Sequence, residues 1–85
     1  MRGRSTPPGL ARLMLRWPAL REVLAARAET DDQFASLCEI YAEAHEALEA
    51  WQRSGHALAA ARASEYQDML AEIEGDILDK IDVRR

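Results

Sequence analysis

Apolar residues recur along this chain at intervals of three and four, the spacing that gathers them on one side of a helix. Leu10, Leu13, Met14, Trp17, Leu20 and Leu24 form the first run, broken at Pro18, which has no amide to donate and restricts Trp17 before it. This predicts either a kinked helix or a short turn followed by a helix starting at Pro18. The second run, Phe34, Leu37, Tyr41, Ala44, Leu48, Trp51 and Gly55, predicts a helix over 31–53. Its start is marked by Thr30 as the cap, Gln33 reaching back to it, and Asp31 and Asp32 in the first turn. Ile40 and Ala47 on one side of the seam, and Cys38 and His45 on the other, make the apolar face wider than one neighbour covers. Glu39, Glu43, Glu46, Glu49 and Arg53 fall on the far, solvated side.

Arg53, Ser54 and Gly55 read as a helix end, with Gly55 suited to the left-handed conformation. A continuous helix through Gly55 is the rival reading. The rhythm fails at Arg62 and Glu65, and a helix of about 50 residues would run about 75 Å with nothing to cover its stripe. The third run, Leu58, Tyr66, Leu70, Ile73, Ile77 and Ile81, flanked by Met69 and Leu78, predicts a helix over 57–82. Gly75 weakens it by about 1 kcal/mol relative to Ala, and Arg84 and Arg85 suit its end. The expected fold is therefore all-α: an antiparallel helical hairpin (31–53 and 57–82) with an additional N-terminal kinked helix, a small helical bundle completed by oligomerisation. Residues 1–9, with Pro7, Pro8 and Gly9, are expected to form a disordered basic tail, and residues 10–85 a single helical domain.

Composition sharpens this picture in two ways. The chain has 85 residues, 48% of them hydrophobic, but 16 of these are Ala, so the core of large side chains is thin. The net charge of −4 conceals a division: residues 1–21 hold +5 and residues 22–85 hold −9. An acidic body is repelled by phosphate backbones, so nucleic acid is not an expected partner. One Cys excludes an internal disulfide. The most apolar stretch, Leu10 to Leu15, is interrupted by Arg12, which leaves neither a membrane span nor a secretory core. A cytoplasmic protein is expected.

Chemistry-bearing constellations are sparse. Glu43, His45 and Glu46 lack the Glu-x-x-His spacing of a di-iron bundle. His45 and Glu49, one turn apart, could share an ion, but Cys38 lies about 10.5 Å along the helix from His45, too far to join them. Cys38 sits mid-helix, where no dipole end activates it, and reads as a small core residue. His56 is expected to pack on Trp51 at the turn. The Gly residues are isolated, so no phosphate loop or dinucleotide fingerprint occurs. No catalytic residue, cofactor or metal is expected, and the chain reads as non-enzymatic.

The remaining constellation is electrostatic. Glu65, Asp68, Glu72, Asp76 and Asp79 fall in a stripe about 80° wide on the last helix. Were residues 10–28 one helix, Arg12, Arg16 and Arg27 would lie within about 60° of each other and could dock on that stripe. These eight residues are the candidate interaction surface.

The run Asp32, Phe34, Leu37, Tyr41, in the form D-x-F-x-x-L-x-x-x-Y, followed by a turn and a helix with Leu70, Ile73 and Ile77, resembles the YdcH-like family of short bacterial helical hairpins over residues 30–82. The resemblance implies a hairpin and no catalytic residues. The stretch Leu70 to Leu78 is acidic where that family is Lys-rich. The function expected is a small protein–protein interaction or assembly module, whose partner is a second copy (dimer or higher) or another protein. Two alternatives remain open: a peripheral membrane or regulatory adaptor using the basic amphipathic head, with Leu10, Leu13, Met14 and Trp17 entering the interface, and a small metal-binding helical protein.

Overall fold

The computed structural model describes residues 6–81, of which 88% are helical, in four α-helices: α1 (Pro8–Arg16), α2 (Arg21–Thr30), α3 (Asp32–Arg53) and α4 (Ala59–Ile81). A 3-10 turn, Pro18–Leu20, joins α1 to α2, and residues 54–58 join α3 to α4. The all-α class and the two long helices are as the hydrophobic period predicts. The chain divides into two compact units, Met1–Ala42 and Glu43–Arg85.

In the first unit the expected kinked helix is two separate helices. Trp17 leaves the helix at φ −129°, ψ 75°, outside the helical region that the following Pro18 disfavours, and its amide still donates to the Leu13 carbonyl. Rotation at Trp17 lets α2 turn back to pack on α1. It also removes the premise that Arg12, Arg16 and Arg27 share one helical face, since Arg27 belongs to the other helix.

The tail expected over 1–9 lies partly outside the described residues, with Arg2 and Arg4. Its last two residues are helical: α1 begins at Pro8, where a missing amide is harmless, and Gly9 is buried. A Cβ on Gly9 would overlap the Cys38 carbonyl oxygen of α3 and come within 3.4 Å of the Ala42 methyl. Gly9 is therefore a packing residue, placed where the α1 backbone meets the α3 backbone. Around that crossing Leu10, Leu13, Leu24, Phe34, Cys38 and Tyr41 are buried, the least exposed at 0% and the most at 7%.

Helices α2 and α3 are separated by one residue. Asp31, rather than Thr30, caps α3: its Oδ1 accepts the amides of Gln33 (3.0 Å) and Phe34 (3.1 Å), while Arg27 Nε donates to Oδ2 at 3.1 Å. Thr30 is the last residue of α2, its hydroxyl donating to the Ala26 carbonyl at 3.2 Å. Strong helix formers from Ala25 to Glu29 carry α2 through Thr30 and shift the corner by one position.

In the second unit Leu48, Leu70, Ile73, Ile77 and Ile81 are buried. The α3 seam holds at Ala44 and Leu48, but Trp51 is only half-buried and Gly55 is exposed without a left-handed backbone. The turn is built by side chains instead: Ser54 Oγ accepts the His56 amide and His56 Nδ1 accepts the Leu58 amide, each at 3.0 Å. Leu58, expected in the core face, precedes α4 and is 48% exposed. Asp82 and the two terminal Arg residues lie outside the described residues.

Two glycines give opposite expectations. Gly9→Ala forces α1 off α3 and is expected to destabilise the protein by about 1–3 kcal/mol, as overpacking does. Gly75 has open space around it, so Gly75→Ala in mid-helix is expected to stabilise by about 0.5–1 kcal/mol. Thermal melts of the two variants against the parent decide the matter; a Gly9→Ala protein as stable as the parent contradicts the crossing. The Asp31 carboxyl is held below its usual 3.8, foremost by the Phe34 amide and also by Arg27. Its contribution is complete above that value and is lost as the pH falls through the lower folded value. Asn caps a helix as well as Asp but does not titrate. Asp31→Asn should therefore melt with a shallower acid dependence below about pH 4, and parallel acid profiles would refute this.

Candidate functional site

Each unit places its predicted surface residues differently. On α4, Glu65, Asp68, Glu72, Asp76 and Asp79 are all exposed. Glu65 is paired within its own helix: Arg62 Nη1 donates to its two carboxylate oxygens at 2.9 and 3.1 Å. Such an exposed pair contributes little to stability. Leu70, Ile73 and Ile77 lie on the opposite, buried side, so the stripe is a solvated face of an amphipathic helix.

Arg27 and Arg16 of the first unit are engaged locally. Arg27 is held by Asp31 across one helical turn, the two side chains being 41% and 30% exposed. Arg16 carries its guanidinium carbon 5.8 Å from the centre of the Trp17 ring, within cation–π range. Arg12 is half-buried on α1.

The side chains that could have carried chemistry are placed as structural groups. Cys38 is buried where α1 crosses α3, and burial, with Glu39 adding to it, pushes its thiol up to about 11. A thiol so protonated is a poor nucleophile near neutral pH. His45 is half-buried on α3. His56 meets the Trp51 ring edge-on, the centroids 6.0 Å apart at 84°, as expected for that pair. Its Nδ1 is an acceptor, which places the ring proton of the neutral imidazole on Nε2. Among the described residues no three His, Cys, Asp or Glu side chains gather where one ion could be held.

One concave feature of the first unit is an open groove of about 380 Å³, which the hydrophobic pattern did not announce. Leu10 and Met14 of α1, Ala25 and Ala28 of α2 and Ala35 of α3 line it, together with Thr6 and Pro7 from the segment before α1. Glu29 is the charged residue among the described ones that line it. Only the Ala-rich composition of α2, at Ala25, Ala26 and Ala28, hinted at it.

On the same helix, Leu15 is 79% exposed. It follows Met14 in the chain and so stands about 100° further round α1.

No protein family, curated protein or solved structure matches this chain. What the protein does must therefore follow from its own side chains.

Cys38 supplies a direct check on this placement. Its thiol should resist a maleimide or a disulfide reagent in the native protein at pH 8 and react at once on unfolding, because it is about 2% exposed and protonated. Rapid labelling of native protein would mean that Cys38 is not buried.

Proposed function

We propose that this chain is a small non-enzymatic helical assembly module whose partner is a second copy of itself. The observation that carries the proposal is apolar surface left over after α1 and α2 have folded: Leu15 is 79% exposed and Ile40, on the α3 flank expected to need a cover, is 47% exposed. In so short a chain, whose hydrophobic residues include 16 Ala, burial of such residues against a second copy adds apolar area that the monomer lacks.

One feature weighs against the membrane alternative. Leu10 and Leu13, which would have to enter a bilayer, are 7% and 0% exposed within the fold. The metal-binding alternative has no three-ligand cluster to stand on among the described residues. The acidic face of α4 is assigned to solubility and to discouraging wrong partners, since like charges in solvent favour dispersed molecules.

Sedimentation equilibrium of the full chain over a range of concentrations tests the proposal. A mass rising from 9.6 kDa toward at least twice that value is expected. A mass that stays at 9.6 kDa at every concentration overturns it.

A further inference from the structure

We infer that the joint between α3 and α4 is a proton-sensitive catch: neutral His56 holds the entry to α4, and a proton taken up by its imidazole releases it. The inference is independent of the self-assembly reading, since every group it uses lies within one chain.

Residues 54–58 carry the chain from α3 into α4 without a left-handed glycine, so the turn depends on its side chains. His56 is bonded there at three points. Its amide donates to Ser54 Oγ, its carbonyl accepts the Ala59 amide and its Nδ1 accepts the Leu58 amide, each at 3.0 Å. Leu58 in turn offers its carbonyl to the Arg62 amide at 3.0 Å, the bond with which α4 begins. The imidazole therefore fixes the residue from which the helix starts. Trp51, in the last turn of α3, meets the same ring edge-on at 6.0 Å, so one side chain touches the end of one helix and the entry to the next.

Of the three bonds only the one to Nδ1 changes with pH. A neutral imidazole keeps one nitrogen as an acceptor, whereas an imidazolium carries a proton on both. Protonated His56 has no acceptor to offer, and turning the ring over does not restore one. Its Nδ1 proton would confront the Leu58 amide proton at the start of a helix whose unpaired amides already make that end positive. The bond is thus complete above the range in which imidazoles titrate, around pH 6–7, and is lost as the pH falls through it.

The charges of the joint agree with this. The last turn of α3 holds Arg53 and the first turn of α4 holds Arg62, and neither contains an acid. Along the chain the nearest acids are Glu49 of α3 and Glu65 of α4. Glu65 is bonded to Arg62 at 2.9 and 3.1 Å. Neither of the two turns that meet at His56 therefore offers a carboxylate to the imidazolium in place of the lost bond. Attraction of a charged ring to Trp51 would keep the side chain beside the indole, but it supplies no acceptor for Leu58.

An NMR titration of the full chain from about pH 8 to pH 5, spanning the imidazole range, tests the inference. The ring proton on Cε1 of His56 reports its protonation, and amide exchange, corrected for the intrinsic rate at each pH, reports the bond to Leu58. The protection of the Leu58 amide should fall about 5–10-fold in step with that protonation, the factor expected for one hydrogen bond lost. His56→Asn is the control: Asn places an acceptor at the same branch of the side chain, as in turns that Asn closes, and takes up no proton. His56 is exposed, so the substitution disturbs no core. In that variant the Leu58 amide should stay protected over the whole range. A Leu58 amide that keeps its protection while His56 is protonated, or that loses it equally in His56→Asn, overturns the catch.

Discussion

The first half of the molecule depends on one close approach, the α1 backbone at Gly9 against the α3 backbone at Cys38. A helix carrying a Cβ there would stand further off, and Leu10 and Leu13 would lose the contact that buries them. Because Gly9 lacks that atom, two basic-headed turns of α1 become part of the core. The Cys38 side chain is itself buried, and burial, with Glu39 adding to it, holds the thiol protonated.

Asp31 plays the corresponding role at the corner. One carboxylate oxygen caps the first turn of α3 and the other holds Arg27 from the last turn of α2. A single residue thereby ends one helix, starts the next and ties the two together. This is also where the hydrophobic period and the cap signal differ in what they reveal. The period located α3 and α4 because Phe34, Tyr41, Leu48, Leu70, Ile73 and Ile77 repeat over several turns, and a face that long tolerates no other register. The cap in Thr30-Asp31-Asp32 offered three side chains of similar capping strength, and the choice among them was made by how far α2 runs, which is a property of the preceding ten residues. Gly9 was hidden for a different reason. A glycine after two prolines is the ordinary mark of a tail, and only the position of α3, many residues away, turns it into a packing residue. At the Gly55 turn the local chemistry again decided. Ser54 and His56 supply acceptors for backbone amides, so the glycine is not required in the left-handed region.

The candidate surface was legible only in part. The acidic stripe of α4 followed directly from helical spacing and is exposed throughout. The groove did not, since a recess depends on which large and small side chains face each other across two helices, and one-dimensional periodicity carries no such information. The break at Trp17–Pro18 changed the reading of the basic head most. With α1 and α2 separate, Arg16 lies against Trp17 and Arg27 against Asp31, so these cations serve the corner and the turn. The apolar side of α1 faces inward at Leu10 and Leu13, while Leu15 on its outer side is 79% exposed.

The central claim is that α1 is a docked part of the fold and presents a surface, as opposed to an arm held in reserve for a bilayer. Hydrogen exchange read along the chain, with and without anionic vesicles, tests it most directly. The account predicts that the amides of Leu13 and Trp17 are protected to the same degree as those in the first half of α3, and that vesicles leave the pattern unchanged. Amides of α1 that exchange as fast as an unstructured peptide, or that gain protection only when vesicles are added, would contradict it.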